Sequence, residues 1–456
     1  MNRGIVTESR RKIPSVDKVV CEIGNCDLPR RVIVDVVRHE LGLLRAEKKV
    51  PNFSGVMSRV RTAVDALQLA KIQPVINGTG IVIHTNFGRA PLGPALIESL
   101  TAIGPGYTNL EYDLTSGERG HRATYLEHNL ALLCEAEATT VVNNCAAALI
   151  LLLRHFTAKK KEVVISRGEL IQIGGGFRIP EILEAGGAKL REIGTTNKTS
   201  VKDYARALGP DTALILKVHR SNFFMGGFIE SPGTDALAKL ARSKSVPFVE
   251  DLGSGAIVAT EKLGAMEHEP RPNETLSSGV DLVCFSADKL FGGPQAGIIA
   301  GKRRHIAALK REPFFRALRC DKLILTALQA TVDLYLAGKS SELPVLAMLE
   351  VTNDELRIRA ERLLEQIRDL PLHIAVGEGK AQIGGGSLPR SAIPSVTLDL
   401  RPKTISLENL ATRLRRASPP IVGYIAGGKF KLDLRTIFPR QDAEVVSALR
   451  STTKWN

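Results

Sequence analysis

Between residues 161 and 290 the chain alternates short apolar runs with amphipathic stretches. Glu162–Ser166, Lys189–Glu192, Thr212–His219, Val246–Asp251 and Leu282–Ser286 read as strands, and segments near Pro180–Ala185 and Asp235–Ser243 read as helices. This alternation predicts a mostly parallel sheet covered by helices on both faces, with ligands bound at the carboxyl ends of the strands. Upstream, a strand at Thr139–Val142 runs directly into small residues and a leucine-rich helix ending near Phe156. Before Pro74 the pattern is helical only. Ser15 is placed to cap a first helix, and Asp27-Leu28-Pro29 opens a second that runs to Lys49 with Val32, Val36, Val37, Leu41 and Leu44 at helical spacing. A third is expected from Ser54 to Ile72. From about residue 340 a separate α/β module is expected, with strands at Ser395–Leu400 and Lys431–Leu434 and turns at Gly384–Gly386 and Gly427–Gly428. The expected domains are therefore 1–73, 74–335 and 336–456.

Composition narrows the class. The 456 residues are 44% apolar and 24% charged, as in soluble globular proteins, and no apolar run reaches the roughly eighteen residues a membrane helix needs. The N-terminus lacks a signal-peptide core, so a cytoplasmic location is expected. Six cysteines, at 21, 26, 134, 145, 284 and 320, show no metal-ligand spacing and read as reduced thiols; no metal is expected. The net charge of +14 suggests a polyanionic partner. Residues 1–73 alone carry 14 Lys/Arg against 8 Asp/Glu, including Arg10, Arg11, Lys12, Arg30, Arg31, Arg38, Arg45, Lys48 and Lys49. A nucleic-acid surface and a solvated bundle face explain that excess equally well.

The candidate chemistry lies at strand ends. Asp281–Gly297 reads as a buried strand followed by Ser286, Asp288 and Lys289, then Gly292, Gly293 and Gly297. A lysine leaving a buried strand is costly unless used, and one use is a Schiff base to a carbonyl cofactor, with the glycines admitting a planar group. By itself the stretch also reads as a surface loop. Asp251 ends another strand 38 residues earlier; alone it also reads as a helix cap. A lysine and an acid so placed are what pyridoxal 5'-phosphate requires, the acid keeping the pyridine nitrogen protonated. Asn144, Cys145 and Ala146, at a helix start just after a strand, are assigned to the cofactor phosphate, although tight strand–helix packing would call for the same small residues. His219 and Ser286, at strand ends, are assigned to the same site. Arg316 and Arg319, at i and i+3, are expected to share a helix face and to clamp an oxyanion, or else to form a solvated basic face.

Motifs along nearly the whole chain resemble bacterial selenocysteine synthase, the L-seryl-tRNA(Sec) selenium transferase family. They include Ile76–Leu92 (INGTGIVIHTNFGRAPL), Tyr107–Asp113 (YTNLEYD), Ser166–Pro180 (SRGELIQIGGGFRIP), Glu250–Gly255 (EDLGSG), Phe285–Gly297 (FSADKLFGGPQAG) and Arg316–Lys322 (RALRCDK). The resemblance implies a fold-type-I pyridoxal-phosphate transferase with an N-terminal helical tRNA-binding domain and a small C-terminal α/β domain, assembled as a homodecamer. It implies conversion of seryl-tRNA(Sec) to selenocysteinyl-tRNA(Sec) through aminoacrylyl-tRNA, with selenophosphate as donor. By the same resemblance Lys289 is the Schiff-base lysine, and Arg89, Arg316 and Arg319 hold the donor anion. Ala287, Cys145 and Arg220 stand where the family pattern has Gly, Asn and Thr. A rival on the same scaffold is an ammonia-lyase of a phosphorylated sugar acid, but such relatives lack the basic N-terminal module. A second rival is an RNA-binding protein with a decayed catalytic domain, against which the Lys289, Asp251 and arginine set argues.

Overall fold

The structure, a computed structural model, describes residues 13–47, 49–172, 176, 178–263 and 266–452. Arg10, Arg11, Lys12 and Lys48 of the basic N-terminal stretch lie outside the described residues. The chain divides into two compact units: 1–75 with 415–420, and 76–414 with 421–456.

The first unit contains α1 (Val16–Ile23), α2 (Arg30–Ala46) and α3 (Phe53–Leu69). Ser15 caps α1 by accepting from the Lys18 amide, and Asn52 caps α3 by accepting from Gly55 at 2.9 Å. Ile33, Val37, Leu41 and Leu44 of α2 pack with Val19 and with Val56, Val60 and Val64. The buried stripe thus runs through Ile33, with Val32 and Val36 half-buried at its edge. Both series have helical spacing, and only packing against α1 and α3 decides between them. Arg30, Arg31, Arg38, Arg45 and Lys49 stay exposed.

The second unit opens with two short strands, β1 (Ile76–Asn77) and β2 (Ile81–Ile83). Its main sheet is built from β3 (Ala138–Val142), β4 (Glu162–Ser166), β5 (Lys189–Ile193), β6 (Thr212–Val218), β7 (Phe248–Gly253), β8 (Leu282–Ser286) and β9 (Gly297–Gly301), in the order β3-β9-β8-β7-β6-β4-β5. Every pairing is parallel except those of β9, which runs antiparallel between β3 and β8. Ile215, Phe248, Val283 and Ile298 pack on one face, and Leu216, Val249, Leu282 and Ile299 on the other. Burial on both faces is why these strands read as continuous apolar runs rather than as alternation.

Gly297 pairs with both Val142 and Ser286, so β9 sets the end of β3 beside the end of β8. A Cβ at position 297 would come 2.2 Å from the Asn144 carbonyl oxygen, so only glycine allows this approach. The segment after β3 and the segment carrying Lys289 are brought together this way.

A second sheet, in the order β13-β14-β11-β10-β2, contains β10 (Leu372–Gly384), β11 (Ser387–Pro402), β13 (Tyr424–Ala426) and β14 (Lys429–Asp433). β2 pairs with β10, and β1 pairs with β12 (Ile421–Val422), so residues 76–83 are stitched to the C-terminal part. Among the described residues no helix is long and apolar enough to cross a membrane.

Candidate active site

The carboxyl ends of β3, β6, β7 and β8 open onto a cavity of about 690 Å³ lined by Lys289, Asp251, Asn144, Cys145, Ala146, His219, Ser286 and Arg89. Sequence positions from 89 to 289 therefore meet around one space. Ile171, Ile179 and Ile182 supply an apolar wall.

Lys289 is half-buried, and burial depresses its ammonium below the ordinary lysine range. Asp251 is 7% exposed, and burial raises its carboxyl above the ordinary range, with the Lys289 charge pulling the other way. Both groups are thus pushed toward their neutral forms. Asp251 is held by its strand: it pairs with Val218 and Cys284, and its carbonyl accepts the His219 amide at 2.8 Å. The Cys145 thiol approaches Asp251 Oδ1 at 3.5 Å.

The helix Cys145–Phe156 starts at the cavity. Asn144 caps it by accepting from the Ala147 amide at 2.8 Å. The positive end of a twelve-residue helix faces the opening.

Arg89 adopts a left-handed backbone with φ of 66°, a conformation that costs a non-glycine residue energy. It is held there by a bridge to His84 and by an ion pair from its Nη1 to the buried Asp288 at 2.8 Å. His219 Nε2 lies 3.2 Å from Glu269 Oε1, itself 2% exposed. Asp288 and Glu269 were missed by sequence reasoning. Asp288 carried a signal, its position beside Lys289; Glu269 carried none.

Two expectations are corrected. Arg316 and Arg319 do not share a helix face: the 3₁₀ helix Pro313–Leu318 ends before Arg319, which is extended. They line a different cavity, of about 700 Å³, with His121, Arg122 and Lys310, and Arg319 pairs with Glu111 at 3.2 Å. A helical spacing in sequence has no meaning once the helix stops. Gly292 and Gly293 also do not face the open space. A side chain at Gly293 would crowd Phe291 and Thr331, whereas Gly292 takes a left-handed backbone with φ of 72°, so the first serves packing and the second the turn.

The site suits pyridoxal phosphate on a structural test. A Cβ at Gly253 would lie 3.9 Å from Lys289 Nζ and 4.0 Å from Asp251 Oδ1. Glycine at 253 puts no side-chain atoms against the amine or the acid, which would hold the cofactor, Lys289 by a covalent bond and Asp251 by a hydrogen bond. The architecture is that of the fold-type-I pyridoxal-phosphate enzymes, and the likeness extends to solved structures. D-glucosaminate-6-phosphate ammonia-lyase superposes with a TM-score of 0.60 over 85% of this chain and 98% of that one, at 18% identity, a likeness of fold alone.

The family model for L-seryl-tRNA selenium transferase matches residues 75–438. Curated proteins named L-seryl-tRNA(Sec) selenium transferase match almost end to end. That of Aquifex aeolicus is 44% identical, covering 94% of this chain and 95% of its own. That of Geobacter sulfurreducens is 41% identical, covering 96% and 98%. This chain belongs to the L-seryl-tRNA selenium transferase family.

Proposed function

We propose that the protein converts L-seryl-tRNA(Sec) to L-selenocysteinyl-tRNA(Sec), with pyridoxal phosphate in the Lys289 cavity and selenophosphate as donor. The observation that carries this reading is the meeting of Lys289, Asp251 and a helix N-terminus around one cavity in a chain of this family.

Lys289 would carry the cofactor, Asp251 would hold a proton at its ring nitrogen, and Asn144, Cys145 and Ala146 would receive its phosphate. His219 and Ser286 would complete its walls. When bound, the cofactor supplies an electron sink that makes the seryl Cα–H acidic.

The chain's own residues do the rest. Burial favours the neutral amine of Lys289, which suits it to take the Cα proton. The seryl hydroxyl leaves Cβ with a proton as water; donor selenium then bonds to Cβ as Lys289 returns the proton to Cα, and water cleaves the selenium–phosphorus bond to release phosphate. Arg89, fixed by Asp288, presents a guanidinium to the anionic donor in a planar, hydrogen-bonding form. Arg316 and Arg319, around the second cavity, would hold the donor anion by the family resemblance. The same resemblance supports a homo-oligomer, a decamer.

We assign residues 1–73 to gripping the tRNA, 74–335 to catalysis and 336–456 to a small supporting domain, all in the cytoplasm. The exposed arginines of α2 support the first assignment. Binding of seryl-tRNA(Sec) in competition with seryl-tRNA(Ser) tests the function. The proposal requires strong preference for the first, and equal binding would favour a small-molecule lyase.

A further inference from the structure

Cys145 and Cys284, 139 residues apart in sequence, meet behind the cavity. Cys145 opens the helix Cys145–Phe156 and lines the cavity, whereas Cys284 lies in the middle of β8, fully buried, in register with Asp251. One ligand atom from each of Cys145, Asp251 and Cys284 lies within 4.8 Å of the other two. Among the described residues this is the one His/Cys/Asp/Glu group close enough to hold a metal ion.

We propose that in the cofactor-free protein Cys145, Asp251 and Cys284 bind a thiophilic divalent cation such as Zn²⁺ or Cd²⁺, in competition with pyridoxal phosphate. Two thiolates and a carboxylate form a donor set that suits these ions, and the fourth position would face the cavity and accept water. Zinc–sulfur bonds of about 2.3 Å place tetrahedral ligand atoms under roughly 4 Å apart, so little closure from the observed spacing is needed. Each thiol gives up its proton to water as the metal enters, and no oxidant or reductant is involved. The bound cation would occupy the Asp251 carboxylate. Cation binding does not depend on the cofactor reading; the competition rests on it.

The test uses the full-length protein stripped of cofactor, with the exposed Cys21 and the half-buried Cys26 changed to Ser to remove adventitious thiols. Titration with Cd²⁺ and Co²⁺ is followed by the thiolate-to-metal absorbance band. The expected result is stoichiometric binding that is lost in Cys145→Ser and in Cys284→Ser, each checked for native circular dichroism. Saturating pyridoxal phosphate, added first to the protein with both cysteines intact, should weaken the metal's apparent affinity by at least about tenfold. Absence of a band, or a band unchanged in Cys284→Ser, overturns the site. A normal band that pyridoxal phosphate does not weaken upholds the site and contradicts the placement of the cofactor ring against Asp251.

Discussion

The Arg89 guanidinium meets the Asp288 carboxylate at 2.8 Å, joining the left-handed turn before the site to the residue preceding Lys289. Asp288 is 5% exposed, so it depends on its partner more than Arg89 does. Arg89→Ala should destabilise the protein by about 1–3 kcal/mol, because it strands a buried carboxylate. Asp288→Asn should leave most stability intact but free the Arg89 side chain, raising the KM for the selenium donor more than it lowers kcat. Denaturant melts and donor-dependence curves of the two variants check this. Equal effects on donor and tRNA would remove the pair from the donor site.

Glu169 gives a pH prediction. Burial pushes its carboxyl up to about 7, although the Val218 amide donates to it at 3.1 Å. Folded Glu169 therefore holds its proton where the unfolded chain has lost it, between about pH 4.5 and 7, and stability falls as pH rises through that window. Above it the loss is complete, on the order of 3 kcal/mol at most. Glu169→Gln keeps an acceptor for Val218 and removes the charge. It should stabilise the protein by roughly 1–3 kcal/mol near pH 8 and by almost nothing near pH 5. A variant whose melting curve tracks wild type at both pH values contradicts the assignment.

Deleting residues 1–73 should weaken seryl-tRNA(Sec) binding strongly while the cofactor absorbance stays normal. Lysine and arginine contacts release counterions, so the slope of log affinity against log salt should also become shallower. Filter binding across a salt series measures both. A truncated protein that holds tRNA as tightly as the full chain would move the RNA grip elsewhere.

Strand ends were legible because doubly buried strands leave long apolar runs, and Asp251 near the end of β7, with His219 and Lys289 just past β6 and β8, lines the cavity. The helix start at Asn144–Ala146 was legible from the strand-to-small-residue switch. What failed was whatever depends on tertiary approach. The 13- and 16-residue strands β10 and β11 were underread, β10 being interrupted by Gly377, Gly379 and charged residues. The role of Gly297 against Asn144, the separation of Arg316 and Arg319 from Lys289, and the meeting of Cys145 with Cys284 all arise from distances that no local pattern encodes.

The central claim is that the Lys289 cavity moves selenium onto a tRNA-bound serine. The most direct measurement is a single-turnover reaction of purified, cofactor-loaded protein with seryl-tRNA(Sec) and radiolabelled selenophosphate, run beside Lys289→Ala. Wild type should place labelled selenium on the tRNA in ester-linked form. Lys289→Ala should fold, bind the tRNA, fix no cofactor on borohydride treatment and transfer nothing. Transfer by Lys289→Ala, or no transfer by a wild-type protein that holds both cofactor and tRNA, would contradict the account.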